Sequence, residues 1–406
     1  MPEEIPDADH ELVMERVCAI DVAKASGVVC VRTPREHRRV SKVWDVESTT
    51  GAVSDLAGQL MELGVEKVTV ESTSDYWRIW YYLLEAARLD VQLVNARDVK
   101  NVPGRPKTDA EDAAVIADQA RMRRDLQPLR PEDDIAVELR ILTSRRTDLV
   151  TDRTRAINRL RAQLLEYFPA LERAFDYSAS KAALILLTGY QTPEGLRHAG
   201  AARLAAWLRK RKARNADAVA AAAIEAAKSQ HTVVPGQQMA AAMVARLAEE
   251  VMTLNTEIGD TDAMIEERFR RHRHAEIILS MPGFGVILGA EFLAATGGDI
   301  AAFGNTDRLA AVAGLAPVPR DSGRISGNLK RPRRYNRRLL RACYLASHNA
   351  IRTDTASRIY YDRKRAQGKR HTQAVLALAR RRLNVMWAML RDHKPYQPTA
   401  PNAAAA

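Results

Sequence analysis

Two short strand-like runs, Val17-Cys18-Ala19-Ile20 and Val68-Thr69-Val70, each lead straight into a carboxylate, Asp21 and Glu71. A charged side chain at the end of a buried strand is costly unless it is paired, exposed or metal-bound, so this repetition narrows what the chain can build. Residues 17–22 and 27–32 read as two strands joined by a short turn, with a third strand near Val40–Val46. Residues 52–63 carry apolar side chains at helical spacing and end at Gly64, and 65–72 reads as a buried strand. The spacing predicts a serine-capped helix over 74–89 and one more strand over 91–96. The order β-β-β-α-β-α-β-α predicts a mixed sheet covered by helices on both faces. In that order the first and fourth strands are neighbours, which brings Asp21 towards Glu71.

The stretch from Gly104 to Gln119, GRPKTDAEDAAVIADQ, supplies two more acids. Gly104 and Pro106 mark a turn, and Thr108 stands three residues before Glu111, the spacing of a capping box. A helix starting there puts Asp109 and Asp112 at i and i+3 on one face. Acids in a first helical turn also complement the helix dipole, so alone they decide nothing. Together with Asp21 and Glu71 they make four carboxylates from three separated segments, a donor set for Mg²⁺ or Mn²⁺. Lys24, just past Asp21, fits a phosphate contact and a solvated lysine equally well. The domain resembles the ribonuclease-H-like fold.

Beyond Pro131 the pattern is helical. Residues 135–168 form one long helical segment in which Leu142, Leu149 and Ala156 repeat at seven, as do Leu139, Arg146, Arg153 and Leu160. A second, from about Gln237 to Arg271, holds Leu247, Val251, Leu254, Ile258 and Ile265 in a heptad frame. The two are expected to pair as an antiparallel coiled-coil arm or to dimerise. Arginines 145, 146, 153, 155 and 159 suit nucleic-acid contact and a solvated face equally. Pro282-Gly283-Phe284-Gly285 resembles the hairpin of helix-hairpin-helix modules, in which backbone N–H groups at Gly283 and Gly285 take a DNA phosphate. Ser322-Gly323 and Ser326-Gly327 follow in a polar loop, then a basic helix with Arg334, Arg337, Arg338 and Arg341 on one face. Arg324 and Lys330 add charge ahead of it. A second basic helix is expected over about 372–391 and a disordered tail after it.

The chain has 406 residues and a net charge of +12, with the basic excess concentrated after Arg320. That asymmetry points to a polyanionic partner for the second half. Three cysteines without metal-ligand spacing argue against disulfides and structural zinc. No signal peptide and no membrane-length apolar run stand out, so a cytoplasmic protein without a membrane role is expected.

AIDVAK, VEST, KTDAEDA, the RTDLVTDRTRAINRLRAQL helix, MPGFG, and AGLAP followed by a Ser-Gly occur in that order. In this the chain is similar to the DEDD transposases of bacterial insertion sequences, the bridge-RNA-guided serine recombinases. The resemblance implies a RuvC-like domain over 1–130, a helical coiled-coil region over 131–272 and a C-terminal transposase domain over 273–392. A tail over 393–406 completes the chain. It implies a metal-binding quartet of Asp21, Glu71, Asp109 and Asp112, and Ser322 as nucleophile, with Ser326 as the rival serine. The implied partners are donor and target DNA, a structured guide RNA and further copies of the chain in a dimer or tetramer. Two other readings remain: a structure-specific nuclease that activates water with the same acids, and a nucleic-acid-binding scaffold without catalysis.

Overall fold

The computed structural model describes residues 14–35, 38–71, 75–94, 113–114, 116–117, 133–319, 329–330, 332 and 335–398. The chain divides into two compact units, Met1–Pro131 and Glu132–Ala406.

The first unit runs β1 (Val17–Val22), β2 (Ser26–Arg35), β3 (Arg38–Glu47), α1 (Thr50–Glu62), β4 (Lys67–Glu71), α2 (Trp77–Ala86) and β5 (Val91–Val94). These strands form one sheet in the order β3-β2-β1-β4-β5. The turn between β1 and β2 is closed by a 2.8 Å bond from the Ala23 N–H to the Ser26 carbonyl. β1 and β3 both lie antiparallel to β2, whereas β4 lies parallel to β1 and β5 parallel to β4. Parallel neighbours need a crossover, and α1 and α2 provide it. The mixed sheet matches the sequence expectation.

Side chains alternate faces along a strand. Cys18, Ile20, Val29, Val31, Val68, Val70 and Leu93 pack on one face with Val53, Leu56 and Leu60 of α1 and Trp80 and Leu84 of α2. Val17, Ala19, Cys30 and Val94 point to the other face, where Ala113, Ile116 and Ala117 cover them. One expectation needs correcting. The helix expected from residue 74 with a serine cap starts at Trp77, with Tyr76 at its N-cap and no side-chain cap bond. Ser74 itself lies outside the described residues. Burial of Trp77, Trp80, Tyr81 and Leu84, spaced 3, 4 and 7 from the first, sets this helix rather than its cap.

The second unit is helical. Its frame is α3 (Asp134–Tyr167) against α8 (Gln237–Arg270), 34 residues each and so about 51 Å long. Between them lie α4 (Pro169–Ala174), α5 (Lys181–Gly189), α6 (Pro193–Lys210) and α7 (Ala216–Lys228). The pairing is antiparallel within the chain, as the ion-pair register shows. Arg145 meets Glu257 at 3.0 Å, Arg159 meets Glu250 at 3.9 Å, and Arg268 meets Glu138 at 3.3 Å. Arg146 meets Asp262 at 2.5 Å, and Arg153 donates to the Asn255 side chain at 2.5 Å. Three of the five arginines weighed as nucleic-acid contacts (Arg145, Arg146 and Arg159) thus make ion pairs that set the register of the helix pair, and Arg153 adds a hydrogen bond to α8.

The far half of this pair shares a core with α4–α7, including Tyr167, Phe168, Leu184, Leu204 and Val244. The near half shares another with the C-terminal helices, including Leu139, Phe269, Phe292, Leu339 and Met386. Those helices are α9 (Ala275–Ser280), α10 (Val286–Thr296), α11 (Thr306–Val312), α12 (Arg337–Thr353), α13 (Thr355–Ala366) and α14 (His371–Arg391). A two-stranded ribbon, β6 (Val318–Pro319) with β7 (Leu329–Lys330), lies between α11 and α12. The sequence reading found no helix at α13. Its signal is local: the Asp354 carboxylate accepts from the Ser357 N–H at 2.9 Å, an N-cap.

The Met281–Phe284 turn is fixed by close packing. Gly283 has φ +83, and a Cβ there would lie 2.1 Å from the Ala346 carbonyl oxygen of α12. Arg382 of α14, 5% exposed, donates to the Pro282 carbonyl and to the Ser357 hydroxyl at 3.0 Å. Asp354 stands 3.9 Å from the same guanidinium. Gly283→Ala is expected to cost roughly 2–5 kcal/mol, combining left-handed backbone strain with overpacking against a rigid carbonyl. Gly285→Ala, with nothing within 4 Å of its added Cβ, is the control and should cost about 1 kcal/mol or less. Thermal melting of both variants reads the difference.

Candidate active site

The register that pairs Ile20 with Val70 sets Asp21 beside Glu71 one step further along the parallel pair. Neighbouring strands are about 4.8 Å apart, and paired residues share a face. Both carboxylates therefore rise from the face that holds Val17 and Ala19, opposite the one covered by α1 and α2. Glu71 is fully buried and Asp21 half-buried. Next to Glu71 on that face, the Thr69 hydroxyl accepts from the Gln92 amide at 2.7 Å.

The cover on this face is the short stretch carrying Ala113, Ile116 and Ala117, each fully buried. Ala113 directly follows Asp112 in the sequence. Asp109 and Asp112 themselves lie outside the described residues, as do Ser322, Arg324, Ser326 and Arg334. Among the described residues no group of three or more His, Cys, Asp and Glu side chains could hold a metal ion. The two acids that are described present only oxygen donors, side by side, and that chemistry suits a hard divalent cation.

The remaining predicted residues fall as follows. Lys24 is exposed in the β1–β2 turn, Lys330 is exposed on β7, and Arg337 is exposed in the first turn of α12. Arg338 donates to the Ser144 hydroxyl at 2.8 Å, tying α12 to α3. Arg341 is held by both carboxylate oxygens of Glu291, which is 5% exposed on α10. An arginine row on a helical wheel cannot reveal such partners, because Glu291 is fifty positions away in an otherwise apolar helix. Gly283 is packed against α12, while Gly285 opens α10 with free space around it.

The thiols are poor rivals for a nucleophile. Cys18, Cys30 and Cys343 are all buried. Burial, with Cys30 nearby, holds the Cys18 thiol well above its ordinary pKa, and burial pushes that of Cys343 up to about 12 although Arg382 opposes it. No thiolate is available near neutral pH at either position.

A family model described as a transposase matches residues 18–169, and a second, described as a transposase of the IS116/IS110/IS902 family, matches residues 275–362. The 42 kDa protein of insertion element IS900 from Mycobacterium paratuberculosis is 78% identical over 302 residues, 74% of this chain and 76% of that protein. The chain belongs to the IS116/IS110/IS902 family of transposases. Within that family it is 52% identical to the 44.8 kDa protein of insertion element IS116 from Streptomyces clavuligerus, over 79% of this chain and 81% of the relative. It is 40% identical to the 43.6 kDa protein of insertion element IS110 from Streptomyces coelicolor, over 74% of each. Asp21, Glu71, Asp109 and Asp112 all fall in the first matched span of this transposase, and Ser322 falls in the second. Transposases act on DNA, a polyanion. Among the described residues no helix is long and apolar enough to cross a membrane.

Proposed function

We propose that this transposase cuts and rejoins DNA strands through a serine-linked covalent intermediate, at a divalent-metal site built from Asp21, Glu71, Asp109 and Asp112. The observation that carries the proposal is the placing of Asp21 and Glu71 side by side on one sheet face, with Ala113, the residue after Asp112, buried on that same face. The strand order β3-β2-β1-β4-β5, with β1 and β4 parallel at its centre, fits a ribonuclease-H-like, RuvC-like domain. In this reading the α3–α8 arm follows that domain in the chain and leads into a C-terminal transposase domain.

Bound Mg²⁺ or Mn²⁺ would offset the negative charge that builds on the phosphate oxygens as a phosphodiester is exchanged. The four carboxylates would hold and orient it, and the burial of Glu71 would keep bulk water from competing there. The Ser322 hydroxyl attacks the phosphorus: the Oγ–P bond forms, the bond to the departing deoxyribose oxygen breaks, and the hydroxyl proton ends on that oxygen. A hydroxyl of the partner DNA strand then reverses the step, so the bond energy is conserved and no nucleotide triphosphate is consumed. Ser322 and the acids belong to different units, so bound nucleic acid, and further copies of the chain in a dimer or tetramer, would bring them together. A structured guide RNA would choose donor and target DNA.

The test is to trap the adduct. The full chain, incubated with DNA carrying the ends of its element and with RNA transcribed from the flanks, is denatured and assayed for DNA covalently attached to protein. Adduct that forms with Mg²⁺ and disappears in EDTA supports the reading. Cutting without any attached protein would transfer the chemistry to activated water.

A further inference from the structure

A cavity of about 540 Å³ opens between α13, α14 and the end of the segment after α11. That volume falls in the range of roughly 300–1,000 Å³ typical of small-ligand sites. Its apolar lining includes Leu315, Pro317 and Leu376, its aromatic wall is Tyr360, and Lys364 and Lys369 stand at its edge. Lys330 and the arginine row of α12 are not part of it.

The charge around Tyr360 is unusual. The Arg381, Arg363 and Lys364 cations sit 4.9, 5.2 and 5.5 Å from its ring centre. Cations near an aromatic ring are attracted to it, but three gathered on one ring repel one another. Among the described residues no carboxylate pairs with Arg363, Lys364, Lys369 or Arg381. The contrast is Arg380 at the same cavity, which is held by Asp307. Lys364 has only the neutral Gln367 side chain, at 3.0 Å. An apolar and aromatic hollow rimmed by uncompensated cations matches one kind of ligand: a flat base with a phosphate on either side.

We propose that this cavity takes a single unpaired nucleotide of a nucleic-acid strand, its base among Tyr360, Leu315, Pro317 and Leu376 and its phosphates against Lys364 and Lys369. Pro317 precedes Ser322 by five residues, a length of chain that spans at most about 18 Å. The captured nucleotide therefore lies within a few nucleotides of the strand position that Ser322 addresses. Only this last step rests on the serine reading. A base held out of the stack next to the exchanged phosphate would fix the strand in register, which neither the quartet nor the serine does.

The experiment measures equilibrium binding by the full chain in EDTA, so that no exchange occurs. The probes are a twelve-nucleotide single-stranded DNA carrying 2-aminopurine, the same sequence as RNA, and a DNA duplex of equal length. Stacking of one base is worth about 1–3 kcal/mol, so Tyr360→Leu should weaken single-strand binding about tenfold and leave duplex binding within twofold. Tyr360→Phe should bind like the parent. Lys364→Gln with Lys369→Gln should lower the salt dependence by about 1.4, for two phosphates at roughly 0.7 each. Ala377→Trp, which fills the cavity while leaving Tyr360 in the sequence, should reproduce the single-strand loss. The probe that suffers, DNA or RNA, identifies the strand. Equal loss on single strands and duplex, or single-strand binding unchanged in both Tyr360→Leu and Ala377→Trp, overturns the proposal. The adduct assay can fail while this binding result holds, so the two readings fall separately.

Discussion

Asp21→Asn is expected to reduce DNA strand exchange by at least about 10²–10³-fold while leaving the melting temperature unchanged or slightly higher. The rate loss follows from removing one ligand oxygen charge where phosphate charge develops, an effect comparable to deleting one preorganised stabilising group. Stability is expected to move the other way. Asp21 and Glu71 rise from adjacent positions on neighbouring strands, so two like charges are held close with Glu71 out of water. Neutralising one relieves repulsion in the metal-free protein. If the acids instead served the fold through salt bridges, the same variant would melt earlier and exchange strands normally. Rate and melting point measured on one preparation therefore distinguish a metal pocket from a structural network, and an early-melting, fully active Asp21→Asn protein would remove the proposed centre.

Ser322→Ala is expected to abolish the covalent protein–DNA adduct, a loss on the order of 10⁴-fold or more for deletion of a nucleophile. Binding of DNA should be almost untouched, because one hydroxyl contributes little beside the charge of the basic helices. Ser326→Ala, four residues on, should keep the adduct. Adduct that persists in Ser322→Ala and vanishes in Ser326→Ala would exchange their roles, and adduct that persists in both would end the serine mechanism. The buried thiols are no refuge for that outcome, since Cys18 and Cys343 both stay protonated.

The first unit was readable because alternation is a local signal. Cys18, Ile20 and Val22 against Val17, Ala19 and Asp21 state two faces before any partner is known, and the strand order then follows from which connections are long enough to cross over. The helix pair was readable for the same reason, through its sevenfold repeat. What stayed hidden depends on partners distant in the chain. Arg146 and Arg153 occupy the repeat as if they were solvated, yet they meet Asp262 and Asn255 more than a hundred residues later. The packing need for glycine at 283 is equally invisible locally, because it is the carbonyl of Ala346, sixty-three residues later, that fills the space a side chain would need. Tyr360 carries no motif: Arg363 and Lys364 follow it at helical spacing, but the third cation, Arg381, reaches its ring only because α14 folds back on α13. Asp109, Asp112 and Ser322 remain sequence-level assignments.

Arg382 has a consequence for incomplete copies of this gene. Its guanidinium joins Pro282, a hundred residues earlier, to Ser357 and Asp354, and it resides on the last of the described helices. A product ending before residue 371 would keep every acid and the serine, yet would lack the keystone that sets the Pro282 turn and the start of α13. Intact reactive groups in a shortened relic of the element are therefore a poor guide to whether it still moves.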